Sequence, residues 1–365
     1  MVNRTALLSL ALVLVINSIC PAQDKRPHVT IRGIYGGVPS ELLEKSTLPE
    51  AGVNAIFMGS GSVNANDIAL LKKQGAKVFV EFNTMHDASY LKDHPDAAPI
   101  GVDGKVCPAP QGWQGICPTH ASYRRSRMDA FRKVLSDFEI DGIWLDYHHS
   151  HASWERADPE MPDTCFCQRC LDQFSRETKT RLPDEPAPKL ARRLLDEHKE
   201  TWVQWRCDVF TDWVREFRSI IDETRPRALF GTFHCPWTDK ERDGALRNKL
   251  AIDLKAQAKY IDVFSIMPYH ARFGHVDDPA WISRQTVWLG EHLGIKGEPG
   301  ERLRIWPIVQ LSDWGESVST DQVQTVLDHG TRLPATGVLV FHWGALRKQM
   351  PKADRMTDFY RAIRP

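Results

Sequence analysis

The chain predicts an α/β protein of the (β/α)8, or TIM-barrel, class with long insertions after the third and fourth strands. Three observations carry this expectation. Short β-branched or aromatic runs recur eight times, amphipathic stretches of helical period lie between them, and no glycine-rich phosphate loop follows the first run. An open doubly wound sheet is the competing arrangement, but it places such a loop after its first strand, and Gly36-Gly37 alone does not make one.

The eight runs are residues 28–35, 54–58, 77–83, 142–147, 228–234, 262–269, 304–311 and 337–343. Helical patterns occupy residues 66–74, 122–138, 200–224, 253–259, 280–293 and 320–332. Gly52, Gly75 and Gly142 fall near helix-to-strand turns, where a residue without Cβ strain is useful. The insertions span residues 85–119 and 148 to about 199, and residues 183–188 read as an exposed linker within the second. Both follow C-terminal strand ends, where barrel enzymes build their sites.

Residues 1–22 carry Arg4, an apolar run from Ala6 to Ile16 and a small residue at Ala22, the pattern of a secretory signal peptide. The apolar part is short for a membrane span, and Cys20 follows Ile19, not the small residue that a lipoprotein signal needs. The expected product is one barrel domain, residues 23–365, secreted or periplasmic, with a retained signal anchor as the alternative. Lysine plus arginine equals aspartate plus glutamate at 47 each, with no basic block, so a nucleic-acid partner is not expected. Nor is a membrane partner once the signal is removed. Twelve tryptophans offer stacking surfaces for sugars, although buried aromatics are ordinary core.

Cys165-Phe-Cys167-Gln-Arg-Cys170 places three thiols at C-x-C-x-x-C spacing, which reads as a metal clip. Beyond Cys20, the chain holds Cys107, Cys117, Cys165, Cys167, Cys170, Cys207 and Cys235, an odd set that cannot all pair within one chain. Export permits disulfides, so that reading stays open, although C-x-C is tight for a bridge while thiolate chelation tolerates it.

Polar residues recur at predicted C-terminal strand ends: Glu81 and Asn83, Asp146 and His148, His234, Tyr269 and His270, Gln310 and Asp313, and His342 beside Trp343. Together they describe a concave polar mouth with aromatic walls, as expected for a carbohydrate site. Asp146 ends the strand Ile-Trp-Leu and is the leading catalytic carboxylate. Glycoside hydrolysis needs a second, and Glu81, Asp313 and Glu155 are the candidates. Asn83, His148, His234, Tyr269, Gln310, His342 and Trp343 are assigned to substrate binding. The histidines show no helical His-x3-His pairing, so no catalytic metal or other catalytic cofactor is expected.

These residues resemble two known families. Asp141-Gly-Ile-Trp-Leu-Asp146, Ser265-Ile-Met-Pro-Tyr269 and Trp343 resemble the barrel of family 18 chitinase-like hydrolases, whose strand-four pattern is D-G-x-D-x-D-x-E. Here Trp144 and His148 stand at its fourth and eighth positions, so that mechanism does not transfer. Cys117-Pro-Thr-His-Ala-Ser-Tyr-Arg, followed by the C-x-C-x-x-C run, resembles the zinc site of family 42 β-galactosidases. Those enzymes carry Asn-Glu on strand four where this chain has Asp146-Tyr147. The resemblance implies one structural zinc on Cys117, Cys165, Cys167 and Cys170, with Cys107 as the rival fourth ligand. It also implies a secreted glycoside hydrolase acting on a poly- or oligosaccharide through two carboxylates. The alternative of a different class is a non-catalytic carbohydrate-binding barrel.

Overall fold

A computed structural model describes residues 25–364, so the signal-peptide expectation lies outside the described residues. The strands are β1 Ile31–Tyr35, β2 Ala55–Gly59, β3 Lys77–Asn83, β4 Gly142–Asp146, β5 Leu229–His234, β6 Val263–Ile266, β7 Arg304–Ile305, β8 Ile308–Gln310 and β9 Gly337–Phe341. All pair in parallel, in the order β7-β6-β5-β4-β3-β2-β1-β9-β8. The two ends of that order, β7 and β8, are consecutive pieces of one chain segment.

Pro307 is the reason this seventh barrel strand divides in two. It has no N–H to continue the ladder, and the segment changes partner there. Arg304 and Ile305 pair with Val263 and Phe264, and the Trp306 N–H donates to the Phe264 carbonyl at 3.0 Å. Beyond the proline, whose carbonyl accepts from the Leu339 N–H at 2.9 Å, Ile308 to Gln310 pair with Leu339 to Phe341. The sheet therefore closes into a barrel of eight strand positions, as expected.

The interior is packed with side chains. Trp144 stacks on Trp306 with ring centroids 5.6 Å apart and meets Phe79 and Phe57 edge-on at 4.9 and 5.0 Å. Its indole N–H donates to the Ser265 hydroxyl at 3.0 Å. Room for this ring comes from Gly231 on the neighbouring strand, where an added Cβ would lie 2.0 Å from the Trp144 ring. Because strand side chains alternate, this layer sets the parity of every strand: residues two positions later point into the mouth above it.

The helices Ala65–Lys73, Ala121–Asp137, Lys199–Thr224, Ala280–Leu293 and Gln322–Gly330 match the expected ones within two residues at each end. Residues 253–259 instead yield one turn, Leu254–Gln257, started by the Asp253 side chain accepting from the Ala256 N–H. Three helices of ten residues or more were not anticipated: Gln168–Thr178, Ala187–Asp196 and Met350–Ile363. The second begins at Ala187, inside the expected linker, and Pro188 occupies a first-turn position that needs no N–H partner. The third fastens the barrel's two ends of sequence together, the Tyr360 hydroxyl donating to the Gly33 carbonyl at 3.0 Å.

The two insertions interlock above β3 and β4. Gly101 bridges Thr164, the Phe166 N–H donates to the Ile100 carbonyl at 2.9 Å, and the Ile100 N–H points at the Cys165 sulfur at 3.3 Å. No helix among the described residues is long and apolar enough to cross a membrane.

Candidate active site

A cavity of about 310 Å3 opens at the C-terminal mouth of the barrel, lined by Tyr35, Trp113, Asp146, Tyr147, Glu155, Phe233, Met267, Tyr269, Ile308, Trp314, Phe341 and His342. Its floor follows from strand parity. Tyr35, Asp146, Phe233 and Met267 stand two residues beyond Gly33, Trp144, Gly231 and Ser265 of the packed layer.

Asp146 ends β4 and is held from both sides. Its main-chain carbonyl accepts from the Thr84 N–H at 3.0 Å and from the Thr84 hydroxyl at 2.9 Å. Its Oδ1 accepts from the next residue's N–H, Tyr147, at 2.8 Å, a contact made as the chain turns through a left-handed conformation at Tyr147 (φ 52°). Burial raises the Asp146 carboxyl well above the usual aspartate range; the charges of Glu81 and Glu155 push the same way, and the Tyr147 N–H opposes them.

Glu155 reaches the same cavity from the second insertion. Burial pushes its carboxyl up to about 7, with the Arg272 cation pulling the other way. Arg272 braces this wall: its Nε donates to the Glu155 carbonyl at 2.9 Å, its guanidinium lies 4.7 Å from the Trp314 ring centroid, and it pairs with Glu316 at 3.1 Å. Glu81 stands two residues beyond Phe79 of the packed layer, its Oε2 accepting from the Tyr35 hydroxyl at 3.1 Å. Burial raises its carboxyl too, against the Tyr35 hydrogen bond and the Arg127 charge. All three carboxyl groups are raised by burial, and Asp146 is raised further by the charges of the other two, so ionisation of all three together is disfavoured.

Aromatic faces complete the cavity. Tyr35 stacks on Phe341 at 5.5 Å, Tyr269 meets Phe341 at 5.1 Å and Trp314 at 5.7 Å, and Trp113 stacks on Tyr147 at 5.1 Å. Burial holds the His342 ring below its ordinary pKa, hence neutral, and keeps the Tyr35, Tyr147 and Tyr269 phenols protonated. No lysine or arginine appears among the lining residues.

Several anticipated site residues lie elsewhere. Asp313 does not line the cavity: its carboxylate accepts from Lys352 at 2.8 Å, from Gln349 at 2.8 Å and from the Val318 N–H at 2.9 Å. Burial alone would raise its pKa, but those donors hold it below the usual range. His148 turns away to the Phe210 carbonyl at 2.9 Å, and His234 to the Cys235 carbonyl at 2.9 Å. His234 is one position off the inward set of β5, which is why Phe233 takes the wall. Asn83 closes its own turn, donating to the His86 carbonyl at 2.7 Å, and the Trp343 indole donates to Glu41 at 2.9 Å. Gln310 is buried and serves the wall indirectly, accepting from the Arg272 N–H at 3.0 Å. Loop backbone groups have thus captured His234, Asn83 and Gln310, a helix carbonyl has taken His148, and side chains hold Asp313 and Trp343. Of the seven residues assigned to substrate binding, Tyr269 and His342 line the cavity.

Tyr35, Phe233 and Phe341 went unassigned although they too end strands, because a search for polar residues passes over them. Trp113, Trp314 and Arg272 come from loops, where no period marks them.

The other constellation is the thiol cluster. The sulfurs of Cys117, Cys165, Cys167 and Cys170 all lie within 4.8 Å of one another. Cys117 stands 3.5 Å from Cys167 and 3.7 Å from Cys170, too far for a bond, and none of the seven described cysteines is bridged. Ligands about 2.3 Å from a tetrahedral zinc stand about 3.8 Å apart, so the four thiols fit such an ion. Cys107 lies outside the cluster.

No protein-family model and no curated protein matches the chain. Solved structures do. The glycoside hydrolase domain of PgaB (BpsB) from Bordetella bronchiseptica superposes with a TM-score of 0.67 at 12% identity, over 90% of this chain and 98% of that one. A polyextremophilic β-galactosidase from the Antarctic haloarchaeon Halorubrum lacusprofundi gives 0.63 at 12% identity, over 91% of this chain and 58% of that one. A catalytic mutant of Gan42B, a GH42 β-galactosidase from G. stearothermophilus, gives 0.61 at 12% identity, over 93% and 57%. The chain thus spans nearly all of the PgaB domain and a little over half of the β-galactosidases, and what it shares with them is the barrel.

Proposed function

We propose that this chain is an exported glycoside hydrolase that cleaves a poly- or oligosaccharide in the aromatic-walled cavity at the barrel mouth. The observation that carries this reading is the convergence of Asp146 and Glu155 in one desolvated cavity. It is supported by the fold shared with glycoside hydrolases, which by itself fixes no chemistry.

The roles follow from the environments. The Asp146 Oδ1 has a backbone N–H that favours its anion and orients it. Among the described residues no hydrogen bond reaches the Glu155 carboxyl, so only the Arg272 charge offsets the burial that holds its pKa at about 7. Glu155 then acts as the acid that protonates the departing glycosidic oxygen, while Asp146 stabilises or attacks the anomeric carbon. Water supplies the hydroxyl that ends on the sugar, and its remaining proton returns to the carboxylate pair. Glu81 acts through Tyr35 and through its charge. Aromatic faces bind the ring by stacking. With no cation lining the cavity, sugars that are uncharged or carry an amine fit it and acidic sugars do not.

Cys117, Cys165, Cys167 and Cys170 would hold one zinc. Four thiolates close its shell and leave no open position for water, so its contribution is to fasten the two insertions. The resemblance to the family 42 zinc site supports this reading, and the apolar N-terminal run supports export of residues 23–365 as one barrel domain. The test is release of a chromogenic aglycone from a broad glycoside panel by the wild type, Asp146→Asn and Glu155→Gln. Turnover of a panel member, lost on both substitutions, is expected. Binding of a saccharide with no turnover of any member would instead identify a carbohydrate-binding barrel.

A further inference from the structure

We infer that Thr84 and Tyr123 are positioning residues for Asp146 that tie it to the thiol cluster, so that the state of the cluster governs the geometry of the cavity. The inference rests on the proposed role of Asp146, and its structural half is testable without that role.

The connection runs through consecutive contacts. Cys117 belongs to the cluster, and the Thr119 hydroxyl lies 3.3 Å from its sulfur and 3.2 Å from that of Cys170. The Pro118 carbonyl between them accepts from the Trp213 indole at 2.9 Å. His120, next in sequence, starts the helix Ala121–Asp137, its Nδ1 accepting from the Tyr123 N–H at 3.1 Å. One turn on, the fully buried Tyr123 phenol donates to the Thr84 carbonyl at 2.6 Å. Thr84, also fully buried, sends both its N–H and its hydroxyl to the Asp146 carbonyl. Four residues thus lead from a thiol to a helix start, and two hydrogen-bonded side chains lead from that helix to the main-chain carbonyl of Asp146.

This arrangement exceeds what packing requires. The sheet register already aligns Asn83 with Asp146, and a strand end needs one N–H on its last carbonyl. Here the carbonyl takes two donors from one residue, and that residue is itself gripped by a phenol whose helix begins at the cluster. Asp146 must also keep its Oδ1 on the Tyr147 N–H, which lies at the turn just beyond the doubly held carbonyl. A shift of about 1 Å at a reacting group costs on the order of a hundredfold in rate.

The experiment uses the full mature protein as wild type, Thr84→Val, Thr84→Ser and Tyr123→Phe, each before and after metal is withdrawn by a chelator. Hydrogen exchange at the Thr84 and Tyr147 amides gives the structural readout, with the β1 amides as an internal fold control. Thr84→Val and metal withdrawal should each speed exchange at both amides about tenfold or more while β1 stays protected, and Thr84→Ser should restore it. On a glycoside that the wild type turns over, kcat should fall about tenfold with KM unchanged. Withdrawing metal from Tyr123→Phe should add less than twofold, since the link is already cut. Wild-type exchange at Tyr147 in both Thr84→Val and the metal-free protein would overturn the inference, as would full additivity. If the wild type turns over no glycoside, the hydrolase reading fails while the exchange result still decides the link.

Discussion

The thiol cluster and the carboxylate cavity hang from the same two insertions, yet they are built in opposite ways. Three of the four thiols lie within six residues, Cys165 to Cys170, so local spacing alone brings them near one another. The cavity draws Tyr35, Trp113, Asp146, Glu155, Phe233, Tyr269, Trp314 and Phe341 from eight separate stretches of chain. The cluster is at home at low energy once its thiolates share an ion. The cavity gathers carboxyl groups that burial raises, Asp146 further still by the charges of Glu81 and Glu155, a state that only the surrounding fold sustains. A local motif fixes structure; a convergent one stores the chemistry.

That contrast breaks if one substitution damages both halves alike. Asp146→Asn should lower kcat by about a thousandfold or more, because a reaction that needs two carboxylates is left with one. Its thermal midpoint should match or exceed that of the wild type, since a buried charge in a crowded acidic site is removed. Cys167→Ser should do the reverse. It should abolish binding of about one zinc per chain, measured by metal analysis, and lower the midpoint by about ten degrees, as the loss of a structural metal removes folding free energy. Zinc retained, or Cys165 and Cys170 recovered in a disulfide peptide, would show a covalent staple in its place.

What could be read in advance follows the same division. The eight-strand repeat and the C-x-C-x-x-C run are local signals: the first matches the barrel, and the second marks thiols that lie together with Cys117. Asp146 was reachable because a carboxylate ending an Ile-Trp-Leu strand is locally conspicuous. His234 was not separable from Phe233, because their parity depends on which residue fills the barrel, and that became visible only with Trp144 lodged against Gly231. Glu155, one of three candidate second carboxylates, could not be ranked from an insertion without period, and it lines the cavity because the second insertion folds over the mouth. Asp313 looked catalytic from its place after a strand, but Lys352 and Gln349 arrive from a C-terminal helix that was not anticipated.

Glu155 sharpens the comparison through pH. As the protonated acid it should give a kcat/KM that declines as pH rises past about 7, and Glu155→Gln should remove that limb along with most of the rate. Its carboxyl is raised above its unfolded value. Between about pH 4.5 and 7 the unfolded chain therefore gives up a proton that the native state keeps, and stability falls across that window. Glu155→Gln should accordingly be more stable than the wild type at pH 8 and equal to it near pH 4. A variant no more stable at pH 8 would place the Glu155 carboxyl in a solvated setting and deprive it of the acid's role. Charge selectivity is a smaller effect: a glucuronide should bind at least about tenfold more weakly than the matching glucoside, a gap that closes in Asp146→Asn.

Asp313 gives the smallest expected effect and the cleanest control, because it is the carboxylate that sequence placed in the cleft and the structure places beside it. Its oxygens are taken by Lys352, Gln349 and the Val318 N–H, so Asp313→Asn should change kcat and KM by less than about twofold. The side chain is 40% exposed, so solvent screening limits the pair with Lys352 to at most about 1 kcal/mol. Its pKa is held below the unfolded value, so that contribution is present above about pH 4 and is lost as pH falls through the native pKa. The variant should thus be slightly less stable than the wild type at pH 7, and the difference should vanish near pH 2 if both still fold there. A loss of kcat comparable to that of Asp146→Asn, with the thermal midpoint kept, would return Asp313 to the catalytic pair and require the loop carrying Trp314 to swing over the mouth when substrate binds.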